Sequence, residues 1–166
     1  MKKKICDILL EFIPYLIIIV VVLLVKEFIV APIKVNGASM DDTLNNNDIM
    51  LLDKISYRNS EIKRFDIVVI KNDGEYIIKR IIGLPGEKVE YKEDKLFING
   101  KEIEEPFEHS YTEDFDAFVA EDNYFVLGDN RVVSMDSREF GAFSKEQIIG
   151  KTNLVIFPFD RFGNKK

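Results

Sequence analysis

The stretch Phe65–Ile82 decides the fold of this chain and reads Phe-Asp-Ile-Val-Val-Ile-Lys-Asn-Asp-Gly-Glu-Tyr-Ile-Ile-Lys-Arg-Ile-Ile. It holds two runs rich in β-branched residues, Phe65–Ile70 and Tyr76–Ile82, on either side of Asn72-Asp73-Gly74-Glu75. Such runs favour strands, and an Asp-Gly pair between them is a strong hairpin signal. The stretch therefore predicts an antiparallel hairpin whose second strand carries Lys79 among isoleucines.

Short apolar runs continue on both sides of this hairpin, separated by turn-forming glycine, proline and asparagine. Gly83-Leu84-Pro85-Gly86 ends the hairpin, and Ser144–Gln147 predicts a capped helical turn. The further strands that we predict are Asp48–Asp53, Lys88–Tyr91, Lys95–Ile98, Asn123–Leu127 and Gly150–Phe157. Short strands at turn-rich spacing are typical of an all-β fold, so we expect coiled, partly closed antiparallel sheets.

The amino-terminal segment has a different composition, since Phe12–Val25 contains no charged residue. Residues 8–33 are long enough to span a membrane if Lys26 extends its ammonium to the interface. Lys2-Lys3-Lys4 stands directly before them, which by the positive-inside rule places the amino terminus in the cytoplasm.

These features predict three regions in the chain. Residues 1–7 would be cytoplasmic, residues 8–33 a transmembrane anchor, and residues 34–166 an extracytoplasmic β-rich domain. The alternative is a secretory signal that is cleaved near the small residue Ala38. The apolar stretch is long for such a signal, which favours the anchor.

The net charge and the cysteine content argue against several kinds of partner and site. The formal net charge of −6 disfavours a nucleic-acid partner. The acidic excess lies in residues 102–122, where no metal-ligand spacing recurs, so we expect a solvated, mobile insertion rather than a cation site. Cys6 is the only cysteine and stands before the anchor, so the domain would have no disulfide. Neither a metal nor a cofactor is expected.

A second informative stretch, Gly128–Gly141, reads Gly-Asp-Asn-Arg-Val-Val-Ser-Met-Asp-Ser-Arg-Glu-Phe-Gly. It combines turn formers, carboxylates, hydroxyls and two spaced arginines in a segment that cannot form a hydrophobic face. Such a composition predicts a network of charge-assisted hydrogen bonds that holds a site in place. A plain surface turn is the alternative.

Three segments, in order behind an apolar helix, resemble the sequence boxes of type I signal peptidases. They are Gly37–Leu44 (Gly-Ala-Ser-Met-Asp-Asp-Thr-Leu), Tyr76–Glu87 and Gly128–Gly141. The resemblance covers nearly the whole chain, as far as Phe157-Pro158. Type I signal peptidases are membrane-anchored Ser–Lys proteases that remove signal peptides from exported preproteins. The resemblance implies a β-rich catalytic core on one membrane helix, with preproteins and membrane lipid as partners.

Ser39 and Lys79 are the catalytic residues that the resemblance implies. A serine nucleophile needs a base within hydrogen-bonding reach, and the only histidine, His109, stands in the acidic insertion. Lysine is a base only when neutral, and burial among apolar residues lowers its pKa. A surface lysine and an ordinary turn serine are the alternatives from each segment alone.

The Gly128–Gly141 loop would support this pair. By resemblance, Ser134 would hydrogen-bond to Lys79 and orient it, and Asp136 and Arg138 would form an ion pair beside the site. Three further residues would brace the loop: Asp129, Asn130 and Arg131. A purely structural role is the alternative, above all for Asp129 and Arg131.

Apolar residues near the pair would select the substrate. By resemblance, small pockets for the residues before the scissile bond would be lined by Val35, Met40, Leu44, Ile77 and Ile78. The substrate would bind as an added strand. Ile33 to Ser39 spans at most about 20 Å of extended chain, which would keep Ser39 near the membrane surface.

Two positions depart from the pattern of these peptidases. Gly37 stands where some relatives carry a serine that donates to the oxyanion, which leaves only the Ser39 amide as an expected donor. Asp42 stands where proline is usual, and a carboxylate beside Lys79 would raise its pKa. We expect proline at position 42 to be tolerated if the loop already adopts its φ.

Three other functions compete with a general signal peptidase. A self-cleaving Ser–Lys repressor-type peptidase shares a related core, but the chain lacks a DNA-binding helix pair. A degenerate, non-enzymatic membrane module would retain the fold without the chemistry, and Asp42 favours it slightly. A specialised processing peptidase with few substrates is also compatible with Asp42.

Overall fold

The computed structural model describes residues 2–165, with side chains described from residue 11 onward except at Asn59. The helices are α1 (Lys2–Phe28), α2 (Ser56–Asn59) and α3 (Ser137–Phe140), with 3₁₀ turns at Lys145–Gln147 and Phe159–Arg161. The strands are β1 (Val30–Lys34), β2 (Ile49–Asp53), β3 (Ile67–Asn72), β4 (Glu75–Gly83), β5 (Lys88–Lys92), β6 (Lys95–Ile98), β7 (Lys101–Ile103), β8 (Phe115–Phe118), β9 (Asn123–Leu127), β10 (Phe143–Ser144), β11 (Ile148–Phe157) and β12 (Gly163–Asn164).

The strands form two antiparallel sheets. The larger sheet has eight strands in the order β1-β2-β11-β3-β4-β9-β10, with β12 paired to β11. The smaller sheet has four strands in the order β7-β6-β5-β8. Register shifts interrupt the pairing of β11 with β2 and β3, and of β4 with β9, which marks bulges that bend the larger sheet. The prediction of a β-rich core with antiparallel sheets is confirmed.

The hairpin predicted from Phe65–Ile82 is present as β3 and β4. Val68 lies opposite Lys79 and Asn72 lies opposite Glu75. At the turn, Asp73 has φ 47° and Gly74 has φ 89°, as a two-residue turn with positive φ at both central positions requires. The local sequence was sufficient to predict this hairpin, because the turn residues and the β-branched runs favour the same register.

Three hydrophobic clusters fill the described part of the fold. The first lies around β3, β4 and β9 and contains Ile62, Val68, Ile70, Ile81, Tyr124, Val126, Phe143 and Ile148. The second joins the two sheets and contains Ile82, Val89, Tyr91, Leu96, Ile98, Val119, Phe125 and Leu127. The third lies under the β1–β2 connection and contains Val35, Met40, Leu44, Met50, Ile67 and Val155. Because side chains alternate along a strand, the neighbours Ile67 and Val68 enter different clusters.

The helix α1 leads into β1, and its apolar side chains from Phe12 to Leu24 are exposed. Among the described residues, no helix combines the length and apolar character that crossing a membrane requires. The last residues of the predicted anchor, residues 8–33, belong to β1, because Val30–Lys34 pairs with β2. The predicted orientation depended on Lys2–Lys4, whose side chains lie outside the described residues, as does the side chain of Cys6.

The acidic insertion at residues 102–122 is packed in part, contrary to the expectation of a solvated segment. Thr112 and Val119 are both completely buried, and the Glu105 side chain is 5% exposed. Phe115–Phe118 pairs with β5 as β8. The error came from treating the charge run as a solvated face, whereas Val119, Phe115 and the carboxylate of Glu105 face the core.

Candidate active site

Ser39 lies in the turn-rich connection between β1 and β2. Gly37, two residues before it, has φ 95°, a backbone conformation that favours glycine, and its amide donates to Asn46 Oδ1 at 3.0 Å. The carbonyl of Ser39 accepts a hydrogen bond of 3.1 Å from the amide of Asn130. The connection is therefore tied directly to the Gly128–Gly141 loop.

Lys79 lies near the middle of β4 and is only 3% exposed. Its Nζ lies 2.6 Å from Ser39 Oγ, across 40 residues of sequence. Burial lowers the pKa of Lys79 to about 8, against the opposing charges of Asp136 and Asp129 and with a smaller contribution from Arg138. A substantial fraction of this lysine is therefore neutral at mildly alkaline pH, and a neutral amine can accept the serine proton.

The carboxylate of Asp136 organises the Gly128–Gly141 loop. It accepts hydrogen bonds from the Gly128 amide at 3.1 Å and from Arg138 Nε at 2.9 Å, and it caps α3 through the Arg138 amide. Arg138 in turn donates to the carbonyl of Arg131 at 2.7 Å. Asp136 is completely buried, so its charge is compensated by hydrogen bonds within the loop.

Ser134 lies beside Ser39 and Gly128, but its hydroxyl does not form the predicted hydrogen bond with Lys79. Its Oγ is buried and has no hydrogen-bond partner among the described residues, because Nζ of Lys79 is directed to Ser39. A Cβ at Gly128 would collide with both Ser134 Oγ and the carbonyl of Ser39. The absence of a side chain at position 128 thus allows these two serines to approach the same stretch of backbone.

Asp129 and Arg131 make buried contacts that the sequence did not identify. Asp129 forms a bidentate pair with Arg80, at 2.8 and 2.6 Å, and both side chains are inaccessible to solvent. Arg131 donates to the carbonyl of Gly128 at 3.0 Å and to Glu105 Oε1 at 2.7 Å. A charged residue directly after Lys79 in an apolar strand was the available signal for Arg80, whereas Glu105 had no distinguishing local pattern.

A groove of about 510 Å³ runs past Ser39 and Lys79. Four of the five predicted substrate-contact residues line it: Val35, Met40, Ile77 and Ile78. Leu44 does not line it, because this side chain is completely buried in the third cluster beneath Met40. Glu75 and Tyr76 also line the groove, and sequence reasoning missed both.

Asp42 has a conformation that corrects the expectation made for this position. Its φ is 84°, far from the value near −65° that proline requires, so proline would not fit this loop as it stands. Its side chain is exposed, and the charges that act on the pKa of Lys79 come from Asp136, Asp129 and Arg138. The carboxylate therefore has no resolved influence on the candidate base.

His109 is engaged away from the Ser39–Lys79 pair. Its Nε2 lies 3.0 Å from Glu105 Oε2, and this hydrogen bond raises the pKa of the imidazole. Ser39 Oγ is hydrogen-bonded to Lys79 instead. Within residues 2–165, no group of three or more His, Cys, Asp or Glu side chains is arranged to hold a metal ion.

Comparison with known proteins identifies the family. Residues 9–157 match the sequence model of the family described as signal peptidase, peptidase S26. The chain is 43% identical over 159 residues to signal peptidase I S of Bacillus subtilis strain 168, covering 87% of this chain and 86% of that protein. It is 40% identical over 164 residues to signal peptidase I of Bacillus amyloliquefaciens, covering 91% of this chain and 89% of the relative.

A solved structure agrees with these sequence matches. The crystal structure of a signal peptidase I from Enterococcus faecalis V583 superposes with a TM-score of 0.51 and 37% sequence identity, covering 55% of this chain and 97% of that one. The resemblance to type I signal peptidases is thereby confirmed, and with it the prediction that the protein is an enzyme, a serine endopeptidase of the signal peptidase I type. The chain belongs to the signal peptidase family, peptidase S26.

Proposed function

We propose that this protein removes signal peptides from exported preproteins at a membrane, with Ser39 as nucleophile and Lys79 as general base. The observation that carries the proposal is the 2.6 Å contact between the buried amine of Lys79 and Ser39 Oγ. A serine and a neutral lysine in hydrogen-bonding reach are the two parts that nucleophilic catalysis of amide hydrolysis requires.

The chemistry proceeds in two halves. Neutral Lys79 accepts the hydroxyl proton as Ser39 Oγ bonds to the scissile carbonyl carbon, and the resulting ammonium gives that proton to the departing amine. Water then attacks the acyl-enzyme ester, with Lys79 accepting its proton, and Ser39 Oγ leaves with a proton returned from Lys79. The amide of Ser39 would serve as the oxyanion donor, whereas the amide of Gly37 is already bonded to Asn46 Oδ1.

The substrate binds as an extended strand in the groove. Within the described sheet, β9 pairs with β4 only from Arg80 onward, so residues 75–79 of β4 have one edge free of strand partners. Backbone hydrogen bonds along such an edge hold an added strand, while side-chain pockets select its residues. Val35, Met40, Ile77 and Ile78 supply an apolar lining beside Ser39 that suits small apolar side chains.

The Gly128–Gly141 loop supports the catalytic pair. The Asp136–Arg138 ion pair shapes the loop, and Asp129, Asn130 and Arg131 join it to neighbouring segments. Ser134 lies against Gly128 beside the Ser39 carbonyl, with its hydroxyl unbonded within the described part of the chain. This hydroxyl is available to orient Lys79 once substrate displaces the Ser39–Lys79 contact.

The membrane association belongs to the amino-terminal helix. Apolar side chains of α1 that lie from Phe12 to Leu24 are each at least 45% exposed, a large apolar surface for a helix in water. Lipid would cover this surface, and Lys2-Lys3-Lys4 before it would keep the amino terminus cytoplasmic, with the β-rich domain on the outer side. Protease added to the outside of intact cells should then digest the domain and spare an amino-terminal tag.

The proposed activity is tested by incubating the full-length protein, in detergent, with a preprotein that carries a signal peptide. The expected result is one new mature fragment whose amino-terminal residue follows a small side chain. The same incubation with Ser39→Ala protein is the control. A well-folded wild-type protein that leaves a range of preproteins uncut would favour a non-enzymatic binding module.

A further inference from the structure

The segment Glu105–Thr112, which we call the clasp, packs against the back of the Gly128–Gly141 loop. The Glu105 carboxylate is the centre of this contact. Its Oε1 accepts hydrogen bonds from Arg131 and from the hydroxyl of Tyr91, each at 2.7 Å. Its Oε2 lies 3.0 Å from Nε2 of His109. Arg131 is completely inaccessible at its side chain, so Glu105 is the carboxylate that neutralises a buried guanidinium.

Further contacts of the clasp reach the neighbouring residues of the loop. The amide of Ser110 donates to the carbonyl of Asp129 at 3.1 Å. Thr112 Oγ1 accepts from Arg131 at 2.7 Å. The ring of Phe107 lies 3.8 Å from the guanidinium carbon of Arg80, the partner of the Asp129 carboxylate. The clasp therefore holds Asp129 by its backbone and Arg131 by its side chain.

A short path leads from these contacts to the catalytic pair. Arg131 Nε holds the carbonyl of Gly128, and Gly128 lies so close to the carbonyl of Ser39 that a Cβ would not fit between them. The amide of Asn130 is bonded to that same carbonyl. A loop that moved away from Ser39 would open the space beside Lys79 to water.

Water beside Lys79 would raise the pKa of its amine. Burial is the largest influence on its pKa, and the facing charges are Asp136, Asp129 and Arg138. Water would reduce the desolvation of the ammonium, so the protonated form would become more stable and the neutral base scarcer. The position of the loop thus determines how much of Lys79 is neutral at a given pH.

We propose that Glu105, acting through Arg131, is a positioning residue that keeps the Gly128–Gly141 loop against Ser39 and keeps water away from Lys79. The proposal rests on the proposed function, in which Lys79 is the base. Glu105 touches neither substrate nor the reacting atoms. Its effect is transmitted through Arg131 and the carbonyl of Gly128.

The test compares Glu105→Ala with Glu105→Gln in the full-length protein. Glutamine keeps an oxygen acceptor for Arg131 and Tyr91, so it should restore much of what alanine loses. Glu104→Ala and Glu108→Ala are the matched controls, because these neighbouring glutamates are exposed. Each control variant removes one negative charge in or directly beside the clasp, and neither breaks the contact between Glu105 and Arg131.

The first readout is the titration of Lys79 followed by ¹³C NMR of labelled lysine, assigned by the signal missing from Lys79→Ala protein. It needs no catalytic activity. We expect Glu105→Ala to raise the midpoint by about one pH unit, whereas the control variants leave it unchanged. The second readout is cleavage at pH 8, where kcat should fall about fivefold as the neutral fraction of Lys79 falls. KM should change little because the groove is intact.

Three outcomes would overturn the proposal, and a fourth would overturn only the proposed function. A folded Glu105→Ala protein with the wild-type Lys79 midpoint overturns it, even if the variant is less stable. Equal shifts in Glu104→Ala and Glu105→Ala also overturn it, because the effect would then be one of charge alone. If Glu105→Ala does not fold, Glu105→Asp withdraws the carboxylate by one methylene, and an unchanged midpoint there is again a refutation. A wild-type protein that cuts no preprotein refutes the proposed function and leaves the NMR result standing.

Discussion

At the residue scale, the proposed mechanism makes Ser39 and Lys79 one unit, in which Ser39 would supply the nucleophile and Lys79 the base. We expect Ser39→Ala and Lys79→Ala each to abolish preprotein cleavage with the fold intact. The double variant should be no less active than either single variant, because removing one member already disables the other. Cleavage of a purified preprotein, with far-ultraviolet circular dichroism as the folding check, measures this. Wild-type rates from Ser39→Ala protein would remove Ser39 from the mechanism.

If Lys79 is the base, as proposed, its lowered pKa determines the pH dependence of the rate. Because burial lowers that pKa to about 8, kcat/KM should rise with pH and level off above pH 8, as the neutral amine becomes dominant. The measurement is a pH–rate profile on one preprotein between pH 6 and about 10.5, the unshifted value of lysine. A rate that still climbs steeply near pH 10 would mean that Lys79 is solvated in the working enzyme.

Asp42 gives a prediction opposite to the one that the sequence alone suggested. Proline cannot adopt its φ of 84°, so Asp42→Pro should lower the free energy of unfolding by more than about 1 kcal/mol. Asp42→Asn is the matched control, since asparagine tolerates positive φ and removes the same charge. Thermal unfolding of the two variants beside wild type measures the difference. A proline variant as stable as the asparagine variant would show that the loop rearranges without cost.

At the scale of elements, the clasp makes stability depend on pH through His109. The pKa of this imidazole is raised above 6.5 by its hydrogen bond to Glu105. A raised folded-state pKa contributes stability that is fully present below the unfolded pKa and is lost as pH rises through the folded one. His109→Gln should therefore lower Tm more at pH 6 than at pH 9.

The comparison with an exposed neighbour makes this experiment specific. Glu108→Gln changes a charge next to His109 without touching Glu105, so its effect on Tm should be small at both pH values. Equal losses from His109→Gln at pH 6 and pH 9 would mean that the imidazole contributes by packing against Phe107 rather than by its charge.

At the scale of the whole molecule, we expect the β-rich domain and α1 to have separate roles. The hydrophobic clusters lie in the sheets, whereas the apolar side chains of α1 are exposed. If α1 provides the proposed membrane association, removal of residues 1–28 should leave a folded β protein that moves from the membrane fraction to the soluble fraction. Cell fractionation and circular dichroism measure this. A truncated protein that stays with the membrane would assign the association to the domain itself.

Elements whose signals are local could be predicted from the amino-acid sequence. The Asp73-Gly74 turn, the β3–β4 hairpin and the Ser144–Gln147 capping box were each predicted, because short-range sterics and hydrogen bonds decide them. The three boxes also identified the family, and they predicted as catalytic the residues Ser39 and Lys79, whose side chains are in contact. The contact between these two residues spans 40 positions, and its prediction depended on the resemblance rather than on local pattern.

The contacts on which the electrostatics depend could be known only from the folded chain. The burial of Lys79, the pairing of Arg80 with Asp129 and the contact of Glu105 with Arg131 join segments that are 26 or more residues apart. Acidic residues in a charge run look alike in sequence, yet the side chain of Glu105 is only 5% exposed, whereas Glu104 is exposed. The positive φ of Asp42 likewise follows from the closure of its loop. Such features depend on which distant groups are available to compensate a charge or constrain a backbone, and this is a property of the folded chain.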